Sequence, residues 1–332
     1  MGYNVYVTRR IPEPALVRLR SECEKVEVNP EDRSPTRAEL LENVRGRDGI
    51  LCMLTDTIDE QVMRAATSAR GFANCAVGYN NIAVHKATEL GLVITNTPGV
   101  LTDATADLTW ALLLATARRI IESDRFVRAG RFREWGPMLF LGADVTGRTL
   151  GIVGAGRIGS AVARRARGFD MQILYCDPTP NEAIEKELGA CRVSLDELLA
   201  QSDFVSVHVP LTDSTRRMFG AEQFRRMKRT AIFVNTARGL AHDEASLAEA
   251  LRSGTIAGAG LDVYENEPQI QAGLAELDNV VLAAHIGSAT IWTRTRMALM
   301  AAENLLAIVK GERAPNCVNP EVYDSLGKKQ AK

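Results

Sequence analysis

The sequence predicts an α/β protein with two parallel sheets, the second of them doubly wound. Three observations lead there. Strand-like apolar runs alternate with helical ones from the N-terminus, a glycine triplet follows a strand pattern halfway along, and six strand patterns fall between residues 149 and 283. At 332 residues, two domains of ordinary size suit the chain better than one core.

In order, residues 4–8, 25–28, 49–53, 72–77 and 92–96 have strand length and apolarity, while 14–24, 36–44, 59–67 and 82–90 carry helical periodicity. That is one open parallel sheet. Its first strand runs into Thr8-Arg9-Arg10-Ile11-Pro12, where no glycine lets a phosphate come close. The first half is therefore not expected to hold a dinucleotide. The fourth strand ends in Ala76-Val77-Gly78-Tyr79-Asn80-Asn81, whose glycine lets backbone amides converge on an anion as a small nest; an ordinary strand-to-helix turn is the alternative. After Thr97-Pro98-Gly99 one long helix is expected over 103–129, with Leu108, Leu112, Ala115 and Ile120 on its apolar stripe. The second sheet follows at 149–153, 171–176, 204–209, 231–235, 256–261 and 280–283. A last amphipathic helix is expected over 289–310, and the lysine-rich end, Lys328-Lys329-Gln330-Ala331-Lys332, should fray.

The glycine run Gly154-Ala155-Gly156-Arg157-Ile158-Gly159 stands between the apolar Thr149-Leu150-Gly151-Ile152-Val153 and a helical pattern from Ser160. In that setting Gly154 makes a tight turn, Gly156 lets backbone approach a pyrophosphate, and Gly159 permits close helix-sheet packing. The pyrophosphate would rest on the partially positive helix start. Asp177 ends the next apolar run and would accept hydrogen bonds from a ribose 2′-hydroxyl while repelling a 2′-phosphate. Pro178-Thr179-Pro180 behind it supplies no cation, so NAD(H) is expected and NADP(H) is disfavoured without being excluded.

Three ionisable residues follow strand patterns of the second domain: Arg238, Glu267 and His285. Ligands of open α/β sheets gather at such carboxyl ends, and with two sheets the substrate is expected in a cleft between them. Singly, each has a plainer explanation: a solvated loop arginine, a turn acid before Pro268, a satisfied core histidine. Beside a nicotinamide they suit reduction of a 2-oxo acid. Arg238 offers a planar fork for the carboxylate. His285 belongs to the side-chain type with an unperturbed pKa of about 6.5, able to donate and accept near neutrality. Glu267, paired to it, would orient the ring and favour the imidazolium. Of the other histidines, His85 reads as a surface residue, His242 as lying at a helix start, and His208 as a contact on the adenine side.

Composition sets bounds. Forty Lys and Arg against 41 Asp and Glu give a formal charge of −1, so no basic face for nucleic acid is advertised. Six scattered cysteines without CxxC spacing suit a reduced, cytoplasmic setting, and no histidine-cysteine-acid cluster has metal-ligand spacing, so no metal is expected. The uncharged apolar run 108–117 is far below the ~20 residues of a membrane span, and the N-terminus has neither signal-peptide nor myristoylation character.

The ordered set of fingerprint, Asp177, His208-Val209-Pro210-Leu211-Thr212, Asn235-Thr236-Ala237-Arg238-Gly239, Gly260-Leu261-Asp262-Val263-Tyr264-Glu265-Asn266-Glu267-Pro268 and His285-Ile286-Gly287-Ser288 resembles the D-isomer-specific 2-hydroxyacid dehydrogenases over nearly the whole chain. The segments 76–79, 96–107 and 285–290 look most like the glyoxylate/hydroxypyruvate reductases. The resemblance implies two Rossmann-like domains, a cofactor domain (101–286) inserted into a flavodoxin-like substrate domain (1–100 plus 287–332). It implies Arg238, Glu267 and His285 as the catalytic trio and substrate contacts from Val77, Gly78 and Leu54. Cofactor contacts implied are Gly154, Gly156, Arg157, Ile158, Gly159, Asp177, Thr102, His208, Pro210, Thr215, Thr236, Ala237, Asp262 and Gly287. NADH-dependent reduction of glyoxylate and hydroxypyruvate to glycolate and D-glycerate is the implied activity, by a homodimer paired through the long helix. Phosphoglycerate dehydrogenase is the alternative enzyme, and an NAD-sensing corepressor of the same fold the alternative class. Two departures stand out: Phe140, with Trp135 nearby, occupies a loop where these reductases often carry a pocket-closing tryptophan, and His242 stands where an aliphatic residue is usual.

Overall fold

Residues 2–324 are described by the computed structural model, so the lysine-rich end lies outside the described residues. Contacts divide the chain into Met1–Leu101 with Ala289–Lys332 (unit 1) and Thr102–Ser288 (unit 2).

Unit 1 carries β1 (Tyr3–Val7), α1 (Glu13–Arg20), β2 (Cys23–Val28), α2 (Arg37–Asn43), β3 (Gly49–Cys52), α3 (Glu60–Ala65), β4 (Gly71–Asn74), α4 (Val84–Leu90) and β5 (Val93–Thr95). The strands form one parallel sheet in the order β2-β1-β3-β4-β5, the flavodoxin-like arrangement. The helix expected over 14–24 stops at Arg20, because Cys23 is already pairing in β2. The fourth strand stops at Asn74, which frees residues 75–78 for the turn that follows.

Unit 2 holds α5 (Thr102–Ala117), α6 (Ile120–Arg128), β6 (Thr149–Val153), α7 (Arg157–Ala166), β7 (Gln172–Cys176), α8 (Glu182–Leu188), β8 (Cys191–Arg192), α9 (Leu195–Gln201), β9 (Phe204–Val207), α10 (Ala221–Arg226), β10 (Ile232–Asn235), α11 (Glu244–Arg252), β11 (Gly258–Leu261) and β12 (Val280–Leu282). Its parallel sheet runs β12-β11-β10-β9-β6-β7-β8. The order reverses beside β6, the switch point at which doubly wound sheets bind ligands. Seven strands stand where six are expected; β8 spans two residues at the edge, too short to leave a periodic signal. The chain then returns to unit 1 as α12 (Ile291–Lys310). Leu305, Leu306, Ile308 and Val309 of α12 join Val5, Val7, Leu16, Leu19 and Leu51 in one core, so the C-terminal helix completes the first sheet's packing.

The single long helix over 103–129 is two helices. Arg119 adopts φ 54°, and the amide of Ala143 donates to the Ala117 carbonyl, ending the helical ladder there. Ile120, counted on the buried stripe, is 52% exposed. The buried face of α5 holds Thr105, Ala106, Thr109, Trp110, Leu112, Leu113 and Ala117. It lies close on β11 because a Cβ at Gly258 or Gly260 would meet Thr116 or Leu112 at 2.8 or 2.9 Å. Trp110 stacks on Phe169 with ring centroids 4.8 Å apart and donates to the Val162 carbonyl, tying α5 to α7.

Candidate active site

The glycine turn is built as its spacing requires. Gly154 has φ 94°, and a Cβ there would strike the His208 backbone at 2.8 Å. A Cβ on Gly159 would lie 2.1 Å from the Gly154 carbonyl oxygen, whereas nothing lies within 4 Å of one on Gly156. Two glycines thus serve packing and the middle one faces open space, the arrangement that admits a pyrophosphate. α7 starts at Arg157 with Gly156 as its N-cap, three residues earlier than the pattern from Ser160 suggests. The peptides on both sides of Ala155 are held. The Ala155 N–H donates to Asp177 Oδ2 at 2.9 Å, and its carbonyl accepts from Asn181 Nδ2 at 2.7 Å and Ser160 Oγ at 3.1 Å. Because N–H and C=O are antiparallel across a trans peptide, these bonds aim the Gly156 amide away from Asn181. The residues present therefore fit a dinucleotide.

Asp177 closes β7 as expected, and each carboxylate oxygen accepts one backbone amide, from Ala155 and Thr179, leaving a lone pair apiece for a ribose hydroxyl. Residues 178–180 hold no cation themselves, but one reaches the turn from elsewhere: Arg192 donates to the carbonyls of Asp177 and Pro178 at 3.0 and 2.7 Å. The edge pairing of β8 with β7 brings it there, a long-range placement invisible in local spacing.

Other expected cofactor residues line the carboxyl ends of the same sheet. His208 follows β9; its Nε2 meets Ser206 Oγ at 2.8 Å, and burial pushes its pKa down to about 3, so it is neutral at physiological pH. Thr215 Oγ1 donates to the Pro210 carbonyl, tying that loop together. Thr236 and Thr109 share a hydroxyl hydrogen bond of 2.9 Å between β10 and α5, Ala237 donates to Asn235 Oδ1, and Thr102 is the first residue of α5.

Arg238, Glu267 and His285 belong to three turns at that end. Arg238 comes three residues after β10, and the side-chain amide of Asn235 donates to its carbonyl. Burial lowers the guanidinium pKa while Glu267 opposes the shift, and an arginine so placed stays charged. His285 Nδ1 lies 2.7 Å from Glu267 Oε2, with side chains 28% and 31% exposed. Burial raises the Glu267 carboxyl, but the hydrogen bond and charge of His285 outweigh it, with help from the Tyr264 amide and Arg238, and hold it below the ordinary carboxylate range. His285 has φ 53°, a conformation that costs a non-glycine residue free energy. Asp262 holds it there: its two oxygens accept from the amides of Ile286 and Gly287 at 2.7 and 2.8 Å, and Thr105 donates to the Gly287 carbonyl. Asp262 is buried, and burial raises its pKa against the pull of these amides and His285.

Unit 1 shows how amides are aimed without glycine motifs. The carbonyls of Ala76, Val77 and Gly78 accept, in turn, from the Thr97 amide (2.9 Å), Asn96 Nδ2 (2.8 Å) and Asn74 Nδ2 (3.0 Å). Three successive carbonyls tied down turn the amides of Val77, Gly78 and Tyr79 the other way. Asn96 is itself held, its carbonyl accepting from Asn304 of α12. Leu54 lies just beyond β3 with a partly exposed side chain. Sequence reasoning did not find Asn74, Asn96 or Asn235, whose side-chain amides each donate to a backbone carbonyl of these turns.

His242 stands just before Asp243, the N-cap of α11, as expected. It is wholly buried, its ring 5.7 Å from that of Phe233, and its Nδ1 accepts from Asn235. It adds one hydrogen bond to the turn that carries Arg238. Trp135 is 79% exposed, whereas Phe140 packs against Phe126 and the Arg119 guanidinium.

Residues 110–287 match the family model described as D-isomer specific 2-hydroxyacid dehydrogenase, NAD binding domain. A glyoxylate reductase of Korarchaeum cryptofilum is 54% identical over 324 residues, 97% of each chain. The crystal structure of a glyoxylate reductase from Paecilomyes thermophila superposes with a TM-score of 0.85 at 36% identity, covering 96% of this chain and 98% of that one. An NADPH-dependent glyoxylate/hydroxypyruvate reductase from Sinorhizobium meliloti, solved with NADP and malonate, gives 0.85 at 34% identity over 97% and 98%. The chain belongs to the D-isomer specific 2-hydroxyacid dehydrogenases, enzymes that use a nicotinamide dinucleotide.

Proposed function

We propose that this chain reduces glyoxylate and hydroxypyruvate to glycolate and D-glycerate, with NADH preferred. The observation that carries the reading is the His285–Glu267 pair at 2.7 Å beside the turn of Arg238. A bound nicotinamide dinucleotide supplies the hydride to the 2-oxo carbon. Arg238 receives the substrate carboxylate and polarises the ketone through its fork. Protonated His285 delivers a proton from Nε2 to the ketone oxygen as charge builds there, and Glu267 stabilises the imidazolium and fixes the ring. The amides of Val77 and Gly78 are a second carboxylate-binding candidate, on unit 1. The glycine turn with Arg157 and Ile158, Asp177, Thr102, His208, Pro210, Thr215, Thr236, Ala237, Asp262 and Gly287 make up the cofactor site.

The NADH preference rests on Asp177. Arg192, at the same turn, favours a second reading in which NADPH is also accepted. Exposed apolar side chains concentrated at Ile120, Ile121, Val127, Phe132, Trp135 and Met138 support a homodimer. Six free cysteines support a reduced, cytoplasmic setting. Steady-state kinetics on a panel of small 2-oxo acids with both cofactors test the reading. Highest kcat/KM for glyoxylate or hydroxypyruvate with NADH is expected, and absence of turnover on both acids would overturn it.

A further inference from the structure

Glu244 takes no part in the chemistry above, yet it is an acid only 2% exposed, at the first position of α11. Helix capping is done by its neighbour, Asp243, which accepts from the Ser246 amide. Glu244 instead reaches out of the helix. Its Oε1 accepts from the Glu265 amide at 2.9 Å and its Oε2 from the Gln271 amide at 3.0 Å. These two donors bracket Glu267, two residues before it and four after, so one carboxylate spans the loop that carries the acid of the pair. The loop's entrance is fixed as well. Tyr264 donates through its hydroxyl to the Ala283 carbonyl and through its amide to Glu267 Oε1.

A neutral acceptor would hold two amides without bringing a second negative charge beside Glu267. Carboxylates crowd here: Tyr264 is pushed up to about 12 by burial and then by Asp262, Glu244 and Glu267. Glu244 is raised by burial, held back by its two amides, and raised further by Glu265 and Glu267. Glu265 is drawn off by an ion pair to Arg217. Glu267 faces His285, Arg238 and Asp262 from the neighbouring turns. The arrangement suits a device whose purpose is the orientation of Glu267.

We propose that Glu244 is a positioning residue for the acid pair, its two carboxylate oxygens clamping the ends of the 265–271 loop so that Glu267 meets His285 Nδ1. The proposal rests on the reading of His285 and Glu267 as that pair. In Glu244→Gln the carbonyl oxygen still accepts one amide while the NH2 faces the other, so one clamp opens at constant volume. The pH profile of kcat on glyoxylate with NADH, measured beside that of Glu267→Gln, tests it. For Glu244→Gln we expect kcat lowered about tenfold, the alkaline fall in rate displaced to lower pH, and the KM for NADH unchanged. Should Glu244→Gln fail to fold by circular dichroism, Glu244→Asp decides by the same readouts, since it keeps the charge but is a methylene too short to span both amides. An unchanged profile in Glu267→Gln overturns the acid-pair reading and this proposal with it. A displaced profile in Glu267→Gln beside a wild-type profile and kcat in the Glu244 variant, whatever its melting temperature, overturns the proposal alone.

Discussion

On the proposed reading, each of the two units would meet an anionic group by its own chemistry. Unit 1 offers neutral backbone amides at Val77–Tyr79, aimed by the side chains of Asn74 and Asn96. Unit 2 offers charge: the Arg238 guanidinium and the His285–Glu267 pair, on turns braced by Asp262, Asn235 and Glu244. The difference teaches what each can do. Fixed amides bind and orient with little dependence on pH, whereas a proton can be moved only by the unit that holds the titrating pair. Changes in unit 2 should therefore be large and pH-linked, and changes in the nest smaller and pH-independent.

The largest effect is expected for His285→Ala, a loss in kcat of roughly 10² to 10⁴-fold, the usual worth of a general acid. A loss under tenfold with chemistry rate-limiting would remove the proton donor from unit 2 and erase the contrast. Next comes Arg238→Lys, which keeps charge but loses the fork. A fall of about 10²-fold in kcat/KM for the 2-oxo acid is expected, with the KM for NADH unchanged. Equal damage to both ligands would show a collapsed turn instead.

Asp177→Ala should move the ratio of kcat/KM for NADH over NADPH by roughly ten- to a hundredfold towards NADPH. The ratio is the quantity to measure, because the variant also leaves the Ala155 amide without its acceptor. No change would assign the preference elsewhere, with Arg192 the first residue to replace. Smallest is Asn96→Leu, which frees the Val77 carbonyl. The KM for glyoxylate should rise about fivefold, the worth of about 1 kcal/mol, by the same factor at every pH. A pH-dependent change would break the comparison from the side of unit 1.

The pair also links stability to pH. The Glu267 carboxyl lies below its ordinary range in the folded protein. Its contribution is therefore complete above the unfolded carboxylate's pKa and is lost as pH falls through the depressed folded value. Glu267→Gln should flatten the acid limb of a melting-temperature profile, and an unaltered limb would deny the link.

What the sequence made legible follows the same division. The glycine turn could be read because Gly154 and Gly159 meet backbone demands that no other residue satisfies, within six positions. Arg238, Glu267 and His285 could be read because each follows a strand pattern, and strand ends are where open sheets gather ligands. The positioning residues could not. Asn96 acts on a carbonyl 19 positions away, and Glu244 on amides 21 and 27 away, distances that only the folded sheet brings together. Arg192 escaped for the same reason, riding on a two-residue edge strand. The break between α5 and α6 was hidden by the apolar Ile120 and Ile121, which continue a helical pattern but are exposed.

The central claim is that a protonated His285, held by Glu267, delivers the proton. The most direct test is the pH dependence of kcat/KM for glyoxylate under conditions where a deuteride isotope effect shows that chemistry limits the rate, in the wild type and in His285→Ala. The account predicts a wild-type rate that falls as pH rises through the titration of the pair and a low, flat rate in the variant. A flat wild-type profile, or the same fall surviving in His285→Ala, would contradict it.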